Sequence, residues 1–124
     1  DLRRLSMLLA VLEKRLGVIV GTRSDVFVNV VGGMRIDEPA ADLAVIAAVA
    51  SSKKDQAVPS DTVLMGEIGL AGELRSIAGM DGRLKEAKRL GFKQAVVPHK
   101  GAKKVQGLHL TTCRTVSEAF KAIF

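Results

Sequence analysis

Residues 37–52 place the tightest constraint on the fold. Asp37-Glu38-Pro39 reads as a helix start. Acids there face the positive end of the helix dipole, and proline fills a first-turn position whose N–H has no partner to lose. The run that follows, to about Ser52, is almost wholly apolar. A helix without a polar face has to lie between other elements rather than on a surface. Ala40, Ala41, Ala44, Ala47, Ala48 and Ala50 keep its surface small, so neighbours approach closely. At 124 residues the chain is one domain by length. This helix is therefore expected at its centre.

The rest of the chain supplies the layers around it. Leu2, Leu5, Leu8, Leu9, Leu12 and Leu16 recur at helical spacing, with Asp1 to cap the start and Gly17 to stop the end. Val18–Val20 and Asp25–Val31 read as strands, Gly32-Gly33 as a break, and Met34–Ile36 as a resumed strand or a loop. Lys53–Ser60 is a polar turn. Thr62–Leu70, the tight turn Ala71-Gly72, and Glu73–Ile77 read as strand, turn, strand. Residues 78–82 lead to a helix from about Arg83 to Leu90, closed by Gly91. Leu84, Ala87 and Leu90 form its apolar face, Lys85, Lys88 and Arg89 point to solvent, and Arg83 sits at the border. Gln94–Val97 is a short buried strand stopped by Pro98, and His99–Gly107 a basic loop or short helix. Leu108–Thr112 is another strand and Val116–Phe124 a closing helix. This alternation predicts an α/β (α+β) layered domain.

Charge narrows the partners. The formal net charge is +6, and residues 71–104 hold 9 basic side chains against 3 acidic ones. Residues 1–70 are close to balance, with 8 basic and 9 acidic. A concentrated positive stretch points to an anionic partner, nucleic acid or a membrane surface. With no Trp, no Tyr and only Phe27, Phe92, Phe120 and Phe124, the chain has few rings for a base-stacking platform. Cys113 is the one cysteine, which excludes an intrachain disulfide and a cysteine-based zinc site and suits a reducing cytosol. His99 and His109 lack partners at ligand spacing, so no metal is expected. No apolar run reaches the roughly 18 residues that span a bilayer, and the first residues show no secretory pattern. The expectation is a soluble, cytoplasmic domain.

Two segments carry a specific signature. Glu38-Pro39-Ala40-Ala41-Asp42 opens an apolar helix and resembles the serine-bearing turn of Lon-type proteases. The run from Met65 to Gly79, then Arg83-Leu84-Lys85-Glu86-Ala87 and Phe92–Pro98, resembles that family's second half. The resemblance covers essentially the whole chain and implies a Lon protease-like proteolytic-domain fold, of the kind seen in ribosomal protein S5 domain 2, lacking its first strands. In Lon-type proteases a neutral lysine takes the proton of a serine that attacks a carbonyl. The matching positions here are Ala40 and Arg83. Alanine has no nucleophile, and a guanidinium stays protonated. The resemblance therefore implies a pseudo-protease.

Leu5–Gly17, Asn29–Asp42 and Arg75–Ala87 are similar to the Lon-like C-terminal domain of the bacterial RadA (Sms) family of DNA repair and recombination proteins. That resemblance implies a RecA paralogue whose four-cysteine zinc module and ATPase core, with their Zn, ATP and Mg, lie outside this sequence. No cofactor is expected in this domain. It also implies binding to double-stranded or branched DNA, a homohexameric ring, work with the RecA recombinase in response to DNA damage, and a place at the nucleoid rather than a membrane.

The candidate DNA-contacting residues are Lys85, Lys88, Arg89, Lys100, Lys103 and Lys104, with Arg75, Arg23 and Arg35 at turns or strand ends. The plainer account of each is a solvated surface cation. Arg83 reads either as a cation at the edge of the former active site, paired with Asp42, Asp37 or Glu67, or as a helix-start arginine lying over apolar surface. Asp42 reads as a structural acid in a first helical turn, and Glu67 and Glu73 as solvent-facing hairpin residues. The glycines at 66, 69, 72, 79 and 82 serve turns and match no nucleotide-binding spacing. Two other functions stay open: an oligomerisation module without DNA affinity, and a peptidase with an unrecognised nucleophile.

Overall fold

The computed structural model describes residues 2–18 and 38–124. The strands expected between Val18 and Val31 fall, apart from Val18, outside the described residues, as do the 32–36 segment, Arg23, Arg35 and Asp37.

Helix α1 (Leu2–Leu16) follows the leucine spacing. Leu8, Val11 and Leu12 form its buried stripe. The acid–proline start opens with a short 3-10 turn over Pro39–Ala41, capped by Glu38, whose carboxylate accepts from Ala40 N–H. Helix α2 (Asp42–Lys54) continues it, two residues beyond the expected end, to Asp55 in a left-handed conformation. Its Leu43, Ile46, Ala47 and Ala50 are fully enclosed, as a helix apolar all round requires.

The run from Thr62 to Leu70, expected to be one strand, is two. Strand β1 (Thr62–Leu64) lies parallel to β4 (Gln94–Pro98). Strand β2 (Glu67–Ile68) leaves that sheet and pairs antiparallel with β3 (Leu74–Arg75). Gly66 makes the break: its N–H donates to Ala40 O and its carbonyl accepts from Leu43 N–H. A Cβ there would stand 2.6 Å from Leu74 Cδ1, so only glycine lets the two segments approach. Helix α3 (Met80–Arg89) starts three residues earlier than expected, which puts Arg83 inside its first turns. Met80, Leu84 and Ala87 form the buried face, and Leu90, assigned to that face from sequence, is 61% exposed at the helix end.

Strand β5 (His109–Cys113) lies parallel to β4, giving the order β1-β4-β5. Residues 99–107 form turns, not a helix. Helix α4 (Val116–Ile123) closes the described chain. Thr115 caps it by accepting from Glu118 N–H, and the Glu118 carboxylate accepts from Arg114 N–H, a reciprocal arrangement at a helix start.

The sheet divides two cores. Val96 and Cys113 belong to a cluster with α1, α2 and α4, among them Leu12, Leu43, Ile46, Val116 and Phe120. Ala95 and Val97 belong to a second cluster with Met65, Met80, Leu84 and Leu108. The period-two alternation along β4 thus assigns neighbouring residues to opposite faces, and both faces of the parallel sheet are covered.

Candidate functional site

The residues at the start of α2 and in α3 meet at a cavity of about 260 Å³ lined by Glu38, Ala40, Ala41, Ala44, Leu64, Met65 and Arg83. The two positions matched to a serine and a lysine, Ala40 and Arg83, therefore line one space. Gly66 fixes the first of them by bonding to its carbonyl. The helical rise of α3 brings the second across from it. Among the described residues that lining carries a carboxylate and a guanidinium but no hydroxyl, thiol, imidazole or amine. A larger groove of about 600 Å³ adjoins it through Met65 and Arg83 and runs past Val63, Gly82 and Phe92 to the exposed Leu90.

Arg83 spans the two. Its Nε donates to Ala78 O at 2.8 Å, and its Nη2 lies 3.4 Å from Glu38 Oε1. Both expected readings of Arg83 are partly corrected. It sits at the rim with a half-exposed side chain, and its acidic partner among the described residues is Glu38. Asp42 and Glu67, two of the partners expected for it, belong instead to Arg4 on α1.

Asp42 is the buried polar residue of the described core, 2% exposed. One carboxylate oxygen accepts from Arg4 Nε at 2.7 Å, and the other accepts from Arg4 Nη2 and from Ile68 N–H at 3.0 Å. Donating to the Asp42 carboxylate holds the Arg4 guanidinium even more firmly protonated than usual. Three elements, α1, α2 and β2, are tied at this one carboxylate. A buried acid in an apolar helix demands such a cation, but nothing in the sequence pattern selects Arg4, 38 residues away.

The basic candidates separate into two groups. Lys85 pairs with Asp81 at 3.0 Å, Arg89 with Glu86 through both ends of its guanidinium, and Arg75 with Glu73 at 3.2 Å. Hydrogen bonding from Arg89 pulls the Glu86 carboxyl below its ordinary range. The Glu73 carboxyl is lowered by its own backbone N–H and then by Arg75. Lys88, Lys100, Lys103 and Lys104 have no acidic partner among the described residues, and all four are exposed. Lys93 and His109, which the candidate set omitted, join this second group. They are exposed at the adjoining starts of β4 and β5, where His109 N–H donates to Lys93 O. Sequence counted the charge of Lys93, but only the parallel register places it beside His109.

Among the described residues no three His, Cys, Asp or Glu side chains gather as a metal site, and no helix is long and apolar enough to cross a membrane.

The chain is similar to several curated proteins named DNA repair protein RadA. One from Aquifex aeolicus is 48% identical over all of this chain and 28% of its own length. One from Pseudomonas aeruginosa is 44% identical over all of this chain and 28% of its own, and one from Brucella abortus is 54% identical over 77% of this chain and 20% of its own. The chain thus spans between a fifth and a third of these relatives. Residues 13–120 match the Lon protease (S16) C-terminal proteolytic domain, and the chain belongs to that family.

Proposed function

We propose that this domain is a Lon-like module without peptidase chemistry that binds duplex or branched DNA through backbone phosphates. It acts within a RadA-type repair and recombination protein, supports a homohexameric ring, and works alongside the RecA recombinase. The observation that carries DNA binding is a set of exposed cations on and beside the β4–β5 loop, Lys88, Lys100, Lys103 and Lys104, which have no acidic partner among the described residues and lie within the stretch that holds the chain's excess charge. Exposed ammonium groups without internal partners are free to replace the counterions of a phosphate backbone, with no requirement for base sequence. The shared name of the relatives supports the biological setting. Alanine at position 40 supplies no nucleophile, and Arg83 supplies no base at neutral pH.

The test is a salt titration of the chain on a labelled duplex. Four phosphate contacts predict a log–log slope of roughly −3.6. Absence of measurable affinity at low salt, or a slope near zero, overturns DNA binding. If sedimentation then showed a hexamer, the domain would be an oligomerisation module only.

A further inference from the structure

The outward cations of α3 and those of the following loop look separate in sequence, yet one contact joins them. The Lys88 side chain lies across Gly107. A Cβ built on residue 107 would stand 3.0 Å from Lys88 Cε and 3.5 Å from Nζ. Gly107 also has φ +84, where a side chain is disfavoured in any case. The loop beneath is held at several points. Ala102, Val105 and Leu108 pack on the second core, His99 N–H donates to Cys113 O, and Leu108 N–H donates to Val105 O. Lys103 and Lys104 are left on the outer side, exposed. Lys93 and His109 adjoin the far end of Gly107 along the strand starts. Asp61, an acid on that edge, accepts at its backbone carbonyl from Lys93 and Gln94 N–H and at its carboxylate from the Thr62 hydroxyl.

We propose that Gly107 is a positioning residue which seats Lys88 on the loop, so that Lys88, Lys93, Lys103 and Lys104 act as one phosphate-contacting track along the seam between α3 and the β4–β5 loop. This rests on the DNA-binding reading above, with the exposed Lys93 at the strand start taking the place of Lys100 in the contact line. The track lies along the seam, while Lys85 and Arg89 are occupied by acids of their own helix. A lysine already laid against a fixed surface has less rotameric freedom to lose when it meets a phosphate. A side chain at 107 meets the end of that lysine and displaces it from its place on the loop.

The experiment compares the chain with Lys88→Gln, Gly107→Val, the pair combined, and Lys121→Gln as a charge control on α4, each checked for a native melting transition. The readout is the salt slope of duplex binding. Lys88→Gln and Gly107→Val each lower its magnitude by about one contact's worth, roughly 0.9. The combined variant falls no further than Lys88→Gln alone, and Lys121→Gln keeps the parent slope. If Gly107→Val fails to fold, the milder Gly107→Ala takes its place with a smaller loss in the same direction. The proposal is overturned if the parent binds DNA steeply while the Lys88 and Gly107 variants keep its slope. It is equally overturned if the combined variant loses the sum of the two single effects, since the glycine would then act through backbone strain alone. A parent chain that fails to bind removes the DNA-binding reading and this inference together.

Discussion

Two ion pairs hold the start of α2, and they differ in where water can reach them. Asp42 meets Arg4 with its carboxylate 3% exposed, and it also takes the Ile68 N–H. Glu38 meets Arg83, four residues earlier along the same segment, with side chains 55% and 36% exposed. The first pair cannot be broken without leaving a buried N–H or a buried charge unmatched, so its loss is costly whatever its net contribution when intact. The second sits at high dielectric, where exposed pairs contribute little. One pair therefore secures the fold, and the other shapes the cavity.

The largest expected effect breaks the buried tie. Asp42→Ala leaves Ile68 N–H without an acceptor and releases α1 from α2, and chemical denaturation should show a loss of about 3 kcal/mol. A loss below about 1 kcal/mol would place the two pairs in the same class. A smaller effect concerns the thiol enclosed by the same core. Burial pushes Cys113 above the usual thiol range, with Glu118 adding to the shift. The folded state then holds that proton more tightly than the unfolded chain. Its contribution is full below the unfolded thiol's ordinary pKa and is lost as pH rises towards the raised value. The urea midpoint should fall as pH rises above about 8.5, the ordinary thiol value, and Cys113→Ala should shrink that fall. The smallest effect is at the rim. Arg83→Met should cost about 1 kcal/mol or less, from one exposed pair and one hydrogen bond to Ala78. If it matched Asp42→Ala, Arg83 would be a structural tie rather than a cavity wall.

Much of this architecture was legible in the chain. The leucine spacing of α1, the acid–proline entry and apolar body of α2, and the short strand from Gln94 each follow from local rules and each is present, although that strand runs through Pro98, expected to stop it, and pairs it with Cys113. What sequence did not reveal is non-local. The run 62–70 reads as a single strand, and the bonds of Gly66 to Ala40 and Leu43, with the approach of Leu74, accompany its division between two sheets. Leu90 has the right phase for the buried face of α3, but the helix ends beneath it and leaves it at the groove. Ala40 and Arg83, singled out through the family signature, line one cavity. Of the acids considered for Arg83, Asp42 and Glu67 pair with Arg4 and Asp37 lies outside the described residues, while the Glu38 contact depends on how the two segments approach, which spacing does not encode. The division of the cations into paired and unpaired sets likewise depends on rotamers at i,i+3 and i,i+4, which a charge count cannot separate.

The alternation along β4 has a consequence for how such a domain changes over generations. Ala95 and Val97 face one core and Val96 the other, so a single strand is the common wall of two compartments. Substitutions on the α3 and loop side can drift, and with them the charge presented outward, while the packing of α1, α2 and α4 is left as it was. A scaffold partitioned in this way can exchange one occupation for another on one side without having to relearn how to fold on the other.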